Sequence, residues 1–127
     1  MAPGTPAFMA PEVARGRGDV DGRADLYALG CVGYWLLTGR RVFESESVVA
    51  MLMAHANDTP SPPSANAELE IAPSLDAVVL ACLQKDPENR PSSADDLAHR
   101  LEETGLASQW TQARARRWWQ THNPMTP

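Results

Sequence analysis

Lysine is all but missing from this chain. Lys85 is the single lysine in 127 residues, and every other basic side chain that stays charged at neutral pH is an arginine. A lysine-based phosphate cradle therefore has one candidate. Lys85 precedes Asp86-Pro87 in a loop-like stretch, where a solvated charge is the simpler expectation. Cysteine is scarce as well. Cys31 and Cys82 each lie inside an apolar run, too few for a disulfide scaffold, and read as buried free thiols of a reducing, cytoplasmic setting. His55, His99 and His122 are widely separated and show no metal-ligand spacing with either cysteine, so no metal site is expected. The longest apolar run, Ala24 to Leu37, is broken by Asp25 and is too short for a membrane span. Ala2-Pro3-Gly4-Thr5 after Met1 lacks the basic-then-apolar pattern of a secretory leader. A net charge of -5 argues against a general nucleic-acid or anionic-membrane binder.

What is present is enough apolar material for a core: 43% of the residues are hydrophobic. Its periodicity is helical throughout, and the expected fold class is all-α. Residues 1–20 are rich in Gly, Pro and Arg and read as irregular structure. Asp21 is a candidate N-cap for an apolar helix through Leu37, with Gly39 as its left-handed stop. That helix is hydrophobic on nearly every face and belongs in the middle of a core. Ser47 can cap a second helix through His55, with Val48, Met51, Leu52 and His55 on one face. Pro60, Pro62 and Pro63 mark a loop, and Pro73 suits a first helical turn. Leu75, Val78, Val79, Cys82 and Leu83 then form an apolar stripe that Asp86-Pro87 is expected to stop. Ser92 or Ser93, with Asp96, can cap another helix whose buried face is Ala94, Leu97, Ala98 and Leu101, ending at Gly105. A last helix from Trp110 to Thr121 carries Arg114, Arg116, Arg117, Trp118 and Trp119.

Four motifs stand in order along this frame. They are Gly4-Thr5-Pro6-Ala7-Phe8-Met9-Ala10-Pro11-Glu12, Asp25-Leu26-Tyr27-Ala28-Leu29-Gly30, Leu36-Leu37-Thr38-Gly39 with Phe43 just after, and Cys82-Leu83-Gln84-Lys85-Asp86-Pro87-Glu88-Asn89-Arg90-Pro91. Together they resemble the C-terminal part of the catalytic-domain large lobe of eukaryotic-like, bacterial-type serine/threonine protein kinases. The resemblance covers Gly4 to about Leu101. It implies three segments: residues 1–20 as the end of the activation segment and the P+1 loop, 21–104 as the helices named αF to αI in that family, and 105–127 as a Trp/Arg-rich helical tail.

The resemblance also implies roles. Thr5 matches the P+1-loop threonine whose hydroxyl bonds the catalytic Asp and Lys, which implies Ser/Thr specificity; the plain alternative is a threonine in a Gly-Pro turn. Pro6, Ala7, Phe8 and Met9 would wall the pocket for the substrate residue after the phosphoacceptor. Glu12 and Arg90 match a buried ion pair joining the activation segment to the loop after the αH counterpart; otherwise they are unrelated surface charges. Asp25 matches an acceptor for backbone amides of the catalytic loop, or is a carboxylate favoured by the helix dipole.

Phosphoryl transfer needs a phosphate cradle, a lysine, metal-binding carboxylates and a base. None of these motifs is found in this sequence. Gly16-Arg17-Gly18 lacks the spacing, and Glu68/Glu70, Asp95/Asp96 and Glu102/Glu103 read as solvated faces. The expectation is a kinase fragment with no catalytic residue, no cofactor-binding residue and no metal of its own, ATP and Mg²⁺ being implied for the complete enzyme. Its implied partners are a protein or peptide substrate and either the N-terminal remainder of the kinase or another kinase. Nucleic acid is not expected. With αE and the catalytic loop absent, part of the central apolar helix should face water. The alternative is a non-catalytic docking or regulatory module. For the tail, docking on the lobe or bridging to a neighbour through arginine stems and indoles is the leading expectation.

Overall fold

The computed structural model describes residues 5–109 and 111–122, and among these every regular element is helical. In chain order the helices are α1 (Pro11–Ala14), α2 (Arg23–Thr38), α3 (Val48–Asn57), α4 (Pro73–Cys82), α5 (Ala94–Glu103) and α6 (Gln112–His122). Short 3-10 turns at Pro6–Phe8, Pro63–Ala65, Pro87–Asn89 and Leu106–Gln109 join them.

The starts and stops have local causes. Pro11 and Pro73 open α1 and α4, where a missing N–H costs nothing. Ser47 Oγ accepts the Ala50 N–H at 3.2 Å, and Ser93 Oγ accepts the Asp96 N–H at 3.0 Å. Asp96 answers by accepting the Ser92 N–H at 2.9 Å, a reciprocal cap displaced by one residue from the usual box. Gly39 ends α2 at φ 71°, with its N–H on the Trp35 carbonyl at 2.7 Å.

Several boundaries differ from the sequence reading. α2 begins at Arg23 rather than Asp21, whose carboxylate instead accepts the Arg23 N–H at 2.9 Å and grips the Arg23 guanidinium. α4 ends at Cys82, ahead of Asp86-Pro87, so the proline is not what stops it. On α3, Val48 is exposed while Met51 and His55 are buried. On α5 only Leu97 is buried; Ala94, Ala98 and Leu101 face solvent. Trp110 lies outside the described residues, and no described residue of α6 is buried. Trp118 stacks on His122 within its own helix, with centroids 4.5 Å apart.

α2 is the axis. Ala24, Tyr27, Cys31 and Tyr34 form one stripe packed on Ala10, Val79 and Leu83, with Phe8, Val13, Leu37 and Val42 closing the cluster. A second face carries Leu26 against Val78, Cys82 and Leu97. The third face is open: Leu29 and Leu36 are 51% and 71% exposed, and Asp25 shares their side. Both cysteines are buried and free, and burial pushes their thiols up to about 12 (Cys31) and about 11 (Cys82), which makes them inert packing groups. Among the described residues no helix is long and apolar enough to cross a membrane.

Candidate functional site

The chain from Thr5 to Met9 wraps into a tight turn because Pro6 presets its φ and two carbonyls close it. The Thr5 carbonyl accepts the Phe8 N–H at 2.9 Å, and the Pro6 carbonyl accepts the Met9 N–H at 3.3 Å. The turn splits its side chains between two sides. Phe8 and Met9 line an open groove of about 750 Å³ together with Thr5, Val20, Asp25 and Ala28. Thr5 and Asp25 are both exposed on it. Pro6 and Ala7 are not part of that groove, and Ala7 is buried on the opposite side. Of the expected pocket wall, Phe8 and Met9 therefore share the groove with Thr5, and Pro6 and Ala7 do not.

Beneath the turn sits His55, with no exposed surface. The Ala7 carbonyl lies 2.9 Å from its Nε2 and the Tyr27 hydroxyl 2.6 Å from its Nδ1. A carbonyl can only accept, so Nε2 carries the proton and Nδ1 accepts from the Tyr27 hydroxyl. The rings of Tyr27 and Phe43 meet the imidazole edge-on, at 5.5 and 5.1 Å. Sequence reasoning placed His55 on a buried face but missed this role. The available signal was a polar ring at an apolar helical position, which needs partners.

Burial lowers the His55 pKa from its ordinary 6.5; the Ala7 bond opposes this and the Lys85 ammonium adds to it. The titratable or charged groups that act on it are Tyr27 from α2 and Lys85 from the loop after α4. Neither is an anion that would favour an imidazolium. A depressed folded pKa means that the unfolded chain binds the proton first. His55 thus contributes stability that is present above pH 6.5 and lost as pH falls through the lower folded value. Urea midpoints measured from pH 7.5 downward should decline through this window, and His55→Gln should flatten the decline. An unchanged slope in His55→Gln would count against it.

Lys85 is not the solvated charge that its neighbours suggest. Its Nζ is buried without a hydrogen-bond partner and lies 4.9 Å from the Phe43 ring centre. Burial lowers its pKa. The stem covers apolar surface and the ammonium sits on the ring face.

Next to the turn, Glu12 on α1 meets Arg90 after the Pro87–Asn89 turn. Arg90 Nη1 donates to Glu12 Oε2 at 2.6 Å and Nη2 to Oε1 at 2.8 Å. The remaining N–H groups donate to the carbonyls of Gln84 (2.8 Å), Arg23 (3.0 Å) and Lys85 (3.2 Å). The guanidinium also lies 5.0 Å from the Tyr27 ring centre. For Glu12, burial raises the carboxyl pKa, the Arg90 hydrogen bonds lower it, and the net result is a lowered value. Asp25, in contrast, is exposed on the open face of α2. Among the described residues no group of three or more His, Cys, Asp or Glu is gathered to hold a metal ion.

Residues 1–101 match the protein kinase domain family. The chain is 51% identical over 90 residues to serine/threonine-protein kinase Pkn1 of Myxococcus xanthus, covering 71% of this chain and 13% of that protein. It is 45% identical over 94 residues to serine/threonine-protein kinase PknB of Mycolicibacterium smegmatis, covering 74% and 15%. Against serine/threonine-protein kinase pkn3 of Myxococcus xanthus the figures are 42% over 93 residues, 72% and 17%. The chain therefore spans about a seventh of the length of these curated relatives.

Proposed function

Because this chain belongs to the protein kinase domain family, we propose that it is the substrate-binding and structural part of a bacterial-type serine/threonine protein kinase, whose complete form phosphorylates Ser or Thr of proteins with ATP and Mg²⁺. The observation that carries the reading is the Thr5–Met9 turn. It presents Thr5, Phe8 and Met9 to one groove while its other side is fixed by His55. A groove of that kind, largely apolar with the Thr5 hydroxyl, the carboxylates of Asp21 and Asp25 and the Arg17 guanidinium on it, suits an extended peptide bearing a hydroxyl side chain. In this reading residues 1–20 form the peptide-binding loop, residues 21–104 its scaffold and residues 105–127 a tail. Glu12 and Arg90 hold the loop to the scaffold. Asp25 is available to accept backbone N–H groups from a segment packed on the open face of α2.

ATP with Mg²⁺ supplies the transferred phosphoryl group in such an enzyme. The described residues of this chain do not fit that group. The Lys85 ammonium lies over the Phe43 ring with its Nζ buried, and among the described residues no cluster of carboxylates is gathered for a metal. No chemical step is assigned to these residues. Their part is to bind and orient the acceptor peptide, an effect that works through positioning.

The test is binding by the 127-residue chain of two probes: a library of Ser- and Thr-containing peptides, read by fluorescence anisotropy, and Mg²⁺–ATP, read by equilibrium dialysis. Saturable peptide binding that Phe8→Ala weakens, with no retention of ATP, is the expected result. Retention of ATP would overturn the division of labour. Absence of peptide binding alongside capture of an intact kinase domain would favour a docking module.

A further inference from the structure

We infer that His55 is a positioning residue for the peptide-binding loop: through the Ala7 carbonyl it sets the shape of the pocket that takes the substrate residue after the phosphoacceptor. The inference rests on the peptide-binding reading above and names a residue outside the loop that governs it.

The geometry leaves the imidazole little freedom. Its two ring nitrogens are both engaged, at 2.6 and 2.9 Å, and two aromatic rings clamp its edges. Tyr27 comes from the central helix, Phe43 from the segment between α2 and α3, and Ala7 from the turn, so His55 ties three separate stretches of chain to α3. Inside the turn, the Thr5 and Pro6 carbonyls are occupied by the Phe8 and Met9 amides, whereas the Ala7 carbonyl takes its hydrogen bond from the imidazole. That carbonyl belongs to the Ala7–Phe8 peptide plane. Rotating the plane would swing Phe8 and Met9, which line the groove. A hydrogen bond on one side of the turn therefore fixes side chains on the other.

The polarity of the relay is also set. Tyr27 donates to Nδ1 and Nε2–H donates to Ala7, and the Tyr27 ring is in turn covered by the Arg90 guanidinium that holds Glu12. Loop position and the buried ion pair share one intermediary, Tyr27.

The experiment compares the full wild-type chain with His55→Phe, His55→Gln and Tyr27→Phe on arrays of Ser peptides varied one position at a time. His55→Phe keeps a flat ring but loses both bonds. It should weaken binding about tenfold, the scale of one lost buried hydrogen bond. It should also change the preference at the position after the phosphoacceptor and leave the others alone. Gln retains an N–H able to reach Ala7 and should restore most of the affinity. Tyr27→Phe should shift the same preference, less strongly. A general loss of structure would lower affinity without altering preference at one position. Unchanged affinity and preference in His55→Phe would overturn the inference. Should wild type bind no peptide at all, the peptide-binding reading falls. Amide hydrogen exchange then decides for His55. Faster exchange confined to Phe8 and Met9 in His55→Phe supports its hold on the turn, and unaltered exchange removes it. If His55→Phe does not fold, Gln and Tyr27→Phe carry the same comparison.

Discussion

Replacing Arg90 with alanine should cost roughly 3–5 kcal/mol, the scale found when one member of a buried ion pair is removed. Arg90 is 3% exposed and Glu12 5%, so neither charge can turn to water. The guanidinium uses all its N–H groups: two on the carboxylate and three on the carbonyls of Gln84, Arg23 and Lys85. Alanine leaves one carboxylate and three carbonyls without these donors. It also removes the cation from the face of Tyr27, whose hydroxyl orients His55. A small domain is stable by only about 5–15 kcal/mol, so the loss would be a large share of the total. Lysine keeps the charge but cannot reproduce the fork, and Arg90→Lys should fall between wild type and alanine. The measurement is the urea midpoint of wild type, Arg90→Lys, Glu12→Gln and Arg90→Ala. Equal midpoints for wild type and Arg90→Ala would show the pair to be energetically idle, despite its geometry.

The pair also predicts a second acid transition. The Glu12 carboxyl has a folded pKa below its ordinary 4.5, so the unfolded chain takes up the proton first as pH falls. Its contribution is present above pH 4.5 and disappears as pH drops through the folded value. This loss begins at pH 4.5, whereas that of His55 begins at pH 6.5, and Glu12→Gln should remove only the component that begins at the lower pH.

How much of this could be read before the structure depends on how local the cause is. Gly39, Ser47, Ser93 and Pro73 act through the backbone within a few residues, and they bound the helices as a local reading expects. The stripe of Val78, Val79, Cys82 and Leu83 is buried because one helical face meets α2. Glu12 and Arg90 are 78 residues apart, and no periodicity connects them; only the resemblance to the kinase family implies their pairing. His55 and Lys85 were not legible in the same way. The 3.6-residue period places His55 on the inward face, but its acceptor lies 48 residues away in a turn. The sequence beside Lys85 is polar, yet its ammonium lies over the ring of Phe43, far along the chain. Leu101 shows the converse. Helical period gives it an inward register, yet it is 42% exposed. Period reports which residues share a face and says nothing of what meets that face.

Gly30→Ala should destabilise the chain by at least about 1–3 kcal/mol, although alanine is the better helix former. α2 and α4 touch at this residue. A Cβ on Gly30 would stand 2.6 Å from the Cys82 Cβ and 3.2 Å from the Leu83 Cδ2. The first contact is with an atom fixed to the α4 backbone, so no rotamer change relieves it and the helices must separate. Gly33, one turn on, is the control. A Cβ there meets only the Val79 Cγ2 at 4.0 Å, an ordinary contact. Gly33→Ala should therefore gain about 0.5–1 kcal/mol from helix propensity. The two substitutions are chemically identical and lie in the same helix, so opposite signs isolate the α2–α4 approach from every intrinsic term. Chemical denaturation of both variants decides it, and a Gly30→Ala chain as stable as wild type would mean that the helices can slide apart at no cost. The consequence reaches the site. Leu83 leads directly into Gln84 and Lys85, whose carbonyls hold Arg90. Pushing α4 outward would drag those acceptors away from the guanidinium. Gly30→Ala should then weaken the coupling between Glu12 and Arg90 in a double-mutant cycle, a loss that Gly33→Ala should not show.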